Sequence, residues 1–151
     1  MTEEIVGYGK VALIRDSQGS GFTIYEGKAL KNTRTESTPN TLIWNELHVS
    51  EADKIIPFYL GIFNWKITEN KQGISQVFNY NNEHITNILE ITNEMKGKYE
   101  YWISSFGVKS LQAVKDKILE NGGSLIFDEG YRILFTDNSG QAFFYVTEIR
   151  K

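Results

Sequence analysis

Cysteine is absent from this chain of 151 residues, and proline occurs only twice. Without cysteine there is no disulfide framework, no thiolate metal site and no cysteine nucleophile. No apolar run is long enough to span a bilayer. The start, Met1-Thr2-Glu3-Glu4-Ile5, lacks the basic and apolar regions of a signal peptide, so a cytoplasmic location is expected. Positive charge is not in excess. Sixteen Lys+Arg against nineteen Asp+Glu give a net charge of −3 and a pI near 5.4. That balance argues against non-specific nucleic-acid binding. No Gly-rich phosphate loop, nucleophile elbow or Ser-His-Asp order occurs. What is present is a 40 % hydrophobic fraction, enough for a real core in one compact domain.

Three pieces emerge along the chain. Residues 1–27 contain apolar alternation (Val11 and Leu13, then Phe22 and Ile24) around Asp16-Ser17-Gln18-Gly19, the pattern of a β-hairpin. Residues 28–40 are polar, contain Pro39 and read as a linker. Residues 41–151 carry most of the apolar pattern. There, Leu42–Val49 predicts a strand, and Ser50 to Asp53 resembles a capping box opening a helix with Ala52, Ile55, Tyr59 and Ile62 on one face. Pro57 conflicts with that helix, because it removes a backbone hydrogen bond. Strands are predicted at Trp65–Thr68, Ile74–Tyr80 and His84–Ile91, the last two joined by Asn81-Asn82. After a polar break at Asn93–Lys98 the order returns. Tyr101–Val108 predicts a strand. Ser110 caps a helix carrying Leu111, Val114, Ile118 and Leu119, stopped at Asn121-Gly122-Gly123. Strands at Leu125–Phe127, Arg132–Thr136 and Ala142–Thr147 follow.

This is βαβββ twice, over residues 41–92 and 99–151. Val49 and Val108 lie 59 positions apart, and the same offset places Ala52, Ile55 and Tyr59 on Leu111, Val114 and Ile118. A second internal repeat aligns Ile14–Tyr25 with Phe135–Val146, an apolar strand, an Asp-x-x-Gly turn and another apolar strand in each. The N-terminal hairpin therefore reads as the closing part of a unit whose beginning is missing.

The string Trp44–Trp65 (WNELHVSEADKIIPFYLGIFNW), the Gly122-Gly123 pair and the Asp137–Gly140 turn resemble the vicinal oxygen chelate superfamily, which includes glyoxalase I, bleomycin-resistance proteins and extradiol dioxygenases. The likeness is to its tandem-module, glyoxalase-like branch. The resemblance implies an α+β fold of paired βαβββ units whose curved mixed sheets form a cleft, here with an extra N-terminal hairpin. In that family a ligand, often with a divalent metal, occupies the cleft.

Strand parity sorts the candidate residues. Leu47 and Val49 continue the helix-facing apolar surface, so Trp44, Glu46 and His48 share the opposite face. On the second first-strand, Ile103, Ser105 and Gly107 take that face. The family's metal positions, matched residue by residue, resemble Trp44, Asn87, Ile103 and Phe144. Three of those side chains offer no donor atom, and divalent metals need carboxylate, imidazole or similar donors. No metal and no other cofactor are therefore expected. Trp44, Ile103 and Phe144 become apolar walls, and Glu46, Asn87 and Ser105 polar points, of a small-molecule pocket.

Glu46 reads either as an acid or base, or as a carboxylate satisfied by its neighbours. His48, two residues on, reads as a rim histidine, a catalytic group or a ligand. His84 reads as a solvated hairpin residue. The resulting expectation is a metal-free small-molecule-binding protein of this superfamily, acting by sequestration or sensing on an aromatic or apolar ligand. The alternative is a metal-independent glyoxalase-like lyase or hydrolase using Glu46 and His48 as acid–base groups. Neither nucleic acid nor membrane is an expected partner. The hairpin's unpaired edges are expected to add to a sheet edge, either of its own module or of a second chain by exchange, and a homodimer is the expected assembly.

Overall fold

A computed structural model describes residues 2–30, 37–69 and 71–149. The chain is α+β, with three helices, a three-stranded antiparallel sheet at the N-terminus, and eight further strands in mixed pairing. It divides into two compact units. The first is Met1–Asn32 with Glu46–Trp102, and the second is Thr33–Asn45 with Ile103–Lys151.

The N-terminal sheet has one strand more than the sequence pattern predicts. β1 (Thr2–Ile5) precedes β2 (Gly9–Arg15) and β3 (Gly21–Gly27). The Glu3-Glu4 pair hides β1 from hydropathy, and its four residues are exposed. Such an outer strand needs only backbone pairing, here Thr2 with Ala12 through Ile5 with Gly9. The expected linker at 28–40 lies partly outside the described residues, at positions 31–36.

The first βαβββ set comprises β4 (Thr41–Val49), α1 (Ala52–Ile62), β5 (Lys66–Ile67), β6 (Ile74–Phe78) and β7 (His84–Glu90). β7 pairs in parallel with β4 and antiparallel with β6. Leu47, Val49, Ala52, Ile55, Tyr59, Val77 and Ile88 are buried together between sheet and helix. Fully burying side chains of this size contributes about 1.5–3 kcal/mol each.

Two expectations about α1 are corrected. The residue at its N-cap is Glu51, whose own side chain makes no capping bond. Ser50 instead turns its hydroxyl to Glu100 and Asn93, each at 2.9 Å, so the capping box does not form. Pro57 sits inside the regular helix. It is exposed, as is Asp53, whose carbonyl loses its partner, so water can replace that hydrogen bond.

The polar break contains a short helix, α2 (Asn93–Lys96), closed by a buried lysine. Lys96 Nζ donates to Asn93 Oδ1, the carbonyls of Gly97 and Tyr99, and Glu100 Oε1, at 3.0–3.2 Å.

The second set comprises β8 (Tyr101–Val108), α3 (Leu111–Glu120), β9 (Ser124–Asp128), β10 (Arg132–Thr136) and β11 (Phe143–Glu148). β11 pairs in parallel with β8 and antiparallel with β10. Ser110 caps α3 as expected, its Oγ accepting from Ala113 N at 3.3 Å. Val108, Leu111, Ile133, Phe135 and Val146 form this unit's core. The two βαβββ sets that the resemblance implied are thus the chain's main content.

Candidate functional site

In the first βαβββ set the sheet face away from the helix carries a row of polar side chains. In the first unit Leu47 and Ile88 face α1, so strand alternation turns Glu46, His48 and Asn87 to the other face. There His48 Nε2 lies 2.9 Å from Glu46 Oε1, and both residues are buried, at 1 % and 3 % exposure. A buried carboxylate is costly unless hydrogen-bonded, and this contact meets that need.

The pair belongs to a longer polar row. Glu46 is the cross-strand partner of Asn87, and Asn87 of Gln76. His84 Nε2 is 2.8 Å from Asn87 Oδ1, and its ring lies 5.2 Å from that of Phe78. His84 is therefore part of the row rather than a solvated turn residue. A register shift at Val77/Phe78 brings it there, which simple alternation does not anticipate. The Tyr101 ring lies 5.4 Å from the His48 imidazole. Burial, and then the charge of Glu100, raise the Tyr101 pKa, so its hydroxyl keeps its proton at neutral pH. At the β6 end of the row, a cavity of about 320 Å³ opens among Thr68, Glu69, Lys71, Ile74 and Gln76.

The remaining candidates belong to the second unit. Ser105 is buried, with its hydroxyl 2.6 Å from Thr147 Oγ1. Ile103 is buried on the same strand parity, and Trp44 is partly buried.

Phe144 requires a correction. It was expected beside Ile103 and Ser105, but its ring packs against Phe135 and the α3-facing core, in one row with Val146. Glu148, two residues further in that row, accepts from the N-terminal amide of α3, which fixes the row's direction. Position 144 is one residue out of phase with the other face, because it shares the parity of Val146 and Glu148. The residue with the opposite parity is Tyr145. Its ring lies 4.0 Å from the Arg132 guanidinium, and its hydroxyl donates to Glu129 Oε1 at 3.2 Å.

The donor set does not suit the metal of the resembling family. The matched positions Trp44, Asn87, Ile103 and Phe144 supply one amide oxygen among four side chains. Among the described residues no three His, Asp or Glu side chains gather as a metal site.

Tyr59, Trp65 and Trp102 pack together in the first unit. Tyr59 stacks on Trp65 at 5.4 Å, and Trp102 Nε1 donates to the Tyr59 hydroxyl at 3.0 Å. That hydroxyl in turn donates to Asp16 Oδ2 at 2.9 Å, tying the β2–β3 turn to α1.

No protein-family model matches the chain, and no curated protein sequence matches it. Solved structures do resemble it. Hypothetical protein BH1468 from Bacillus halodurans C-125 is 21 % identical with a TM-score of 0.49, over 74 % of this chain and 95 % of that one. An uncharacterised protein from Methanosarcina mazei is 15 % identical with a TM-score of 0.43, over 74 % and 95 %. A methylmalonyl-CoA epimerase from Mycobacterium tuberculosis is 12 % identical with a TM-score of 0.47, over 81 % and 93 %. Among the described residues no helix is long and apolar enough to cross a membrane.

Proposed function

We propose that this chain is a metal-free small-molecule-binding protein of the glyoxalase, bleomycin-resistance and dioxygenase kind, and that it works by sequestering or sensing its ligand. The ligand sits on the helix-free face of the first unit, around Glu46 and His48. The buried Glu46–His48 contact carries this reading. A sheet face that needed only to be stable would be cheaper to cover with apolar side chains than with a carboxylate and an imidazole. The row from Gln76 through Asn87 to Glu46 supplies both donors and acceptors, and a cavity of small-molecule size lies beside Gln76, at the exposed end of that row. With Phe144 turned to the core, the apolar surface near this row comes from Ile74, Leu89 and the Tyr101 ring. The ligand class shifts accordingly, from purely apolar to one with hydrogen-bonding groups.

The 2.9 Å contact also supports the second reading, a lyase or hydrolase in which Glu46 orients His48 as a proton acceptor. Thermal-shift screening of chelator-treated protein against small polar aromatics, thiohemiacetals and catechols tests the first reading, with turnover measured on every hit. Stabilisation without turnover, lost in Glu46→Gln, supports binding. Turnover lost in the same variant supports the enzyme. Hits that need added metal contradict both.

A further inference from the structure

The N-terminal sheet is built like the last three strands of a βαβββ set. β1, β2 and β3 are neighbours in the same order as β9, β10 and β11. The two turns share their bonds. Gly19 N donates to the Asp16 carbonyl as Gly140 N does to that of Asp137, and Asp16 Oδ1 accepts from Gln18 N as Asp137 Oδ1 does from Ser139 N. The second turn is one residue longer, since Asp16 N donates to the Ser20 carbonyl but Asp137 N to that of Ala142, so the ungapped alignment slips by one on the closing strand; with that insertion the cross-strand pairs follow in step. Ile14 faces Phe22 as Phe135 faces Phe144, and Ala12 faces Ile24 as Ile133 faces Val146. One step further, Glu26 faces Lys10 where Glu148 meets Tyr131.

Glu26 therefore stands where Glu90 and Glu148 stand in the two complete sets, and there the place has a fixed use. β4 fills the outer edge of β7, with Leu47 beside Ile88 and Val49 beside Glu90. β8 fills that of β11, with Phe106 beside Val146 and Val108 beside Glu148. The chain then turns into a helix whose first amide lands on the glutamate: Ala52 N on Glu90 Oε1 at 2.8 Å, and Leu111 N on Glu148 Oε1 at 3.4 Å. On the N-terminal sheet this place is vacant among the described residues, because β3 pairs only with β2. Ile24 is 43 % exposed, whereas its counterparts Ile88 and Val146 are at 0 % and 2 %. Glu26 has only Lys10, across the strands at 3.6 Å and largely solvated. The other end of the sheet is anchored, by Asp16 on Tyr59 and by Phe22 against Tyr59 and Phe63.

We propose that the open edge of β3 docks a strand–helix segment of another polypeptide. The strand runs parallel to β3 beside Ile24, and the first amide of its helix meets the Glu26 carboxylate. Charge selects this occupant, since a helix N-terminus carries about half a positive charge and the receptor is a carboxylate opposed only by the solvated Lys10 at 3.6 Å. A second copy of this chain is a poor donor. Its strand–helix segments, β4–α1 and β8–α3, each close on three strands of their own.

The test uses the full chain and a synthetic peptide of residues 101–121, which spans β8 and α3. Backbone hydrogen exchange is measured with and without peptide. The expected result is a slowing on the order of ten-fold at the β3 amides near Ile24 and Glu26, with the β7 and β11 amides unchanged. Glu26→Lys is expected to weaken peptide binding about ten-fold, by replacing attraction with repulsion at the helix terminus. Ile24→Asp serves as an independent variant, and unchanged exchange across α1 and β4–β7 shows that each variant is folded. Unaltered β3 exchange at saturating soluble peptide would overturn the proposal. So would binding indifferent to Glu26→Lys, or a free protein that already self-associates with β3 protected.

Discussion

Glu46 Oε1 and His48 Nε2 meet at 2.9 Å, two residues apart on one strand and both cut off from solvent. Neither faces the helix that covers the other side of the strand. This contact makes the helix-free face of the first unit more than a solvated surface. Replacing Glu46 by Gln removes the charge and keeps the shape. Its effect on folding is expected to be small, about 1 kcal/mol or less, because the amide can still accept from the imidazole. Replacing His48 by Leu leaves the carboxylate buried without that donor and is expected to cost about 3 kcal/mol. Urea denaturation of both variants checks the asymmetry, and equal losses would contradict it.

The Tyr59 hydroxyl donates to Asp16 and accepts from Trp102. Burial raises its pKa well above the ordinary tyrosine value, reinforced by the bond to and charge of Asp16, while the Trp102 bond opposes the shift. The folded state thus holds this proton more tightly than the unfolded state. The stabilisation is complete below the unfolded pKa, near 10, and is lost as pH climbs from there towards the folded value. Melting temperature should therefore fall more steeply above pH 10 in the wild type than in Tyr59→Phe. At pH 7 the variant should be less stable by about 1–3 kcal/mol, because Asp16 and Trp102 lose a partner.

The glutamates that close β7 and β11 cap different helices with different geometry, at 2.8 Å for Glu90 and 3.4 Å for Glu148. Glu90→Ala is expected to cost about 1–2 kcal/mol and Glu148→Ala less, on the scale of a lost N-terminal cap. Chemical denaturation ranks them, and the reverse order would count against the shorter bond being the stronger.

Lys96 Nζ is fully enclosed by four oxygen acceptors, among them Glu100, which also holds Ser50 at the entry to α1. Lys96→Met removes the cation that these acceptors share and leaves Glu100 without its ion-pair partner. A loss of about 3 kcal/mol is expected, with faster amide exchange at Ser50 and through residues 93–100. An unchanged melting temperature would show the cage to be dispensable.

Much of this architecture was legible in the residues. The strands at Tyr101–Val108 and Arg132–Thr136 have the bounds that their apolar pattern marked. The repeat is real in the backbone, since Ile91 N donates to Val49 O and Ile149 N to Val108 O at 2.8 and 2.9 Å, with an offset of 59 at the first strand and 58 at the last. Alternation on β4 put Glu46 and His48 on one face, and their contact follows from it. What escaped was set by pairing rather than by composition. β1 is an exposed acidic strand held by backbone bonds alone. His84 reaches Asn87 through a bulge. Phe144 was assigned by motif counting, and a one-residue change of phase turns a strand residue to the opposite face. Gln76 and Tyr101 are polar or aromatic residues in ordinary strand positions, and only cross-strand register shows what they stand beside.

The most direct test of the account is a map of where small molecules bind. Backbone and imidazole chemical shifts of chelator-treated protein would be followed during titration with the compounds that raise its melting temperature. The account predicts shifts that converge on Glu46, His48, Gln76, Asn87 and Tyr101, and that vanish in Glu46→Gln. Shifts that cluster elsewhere, or that appear only when a divalent metal is added, would contradict it.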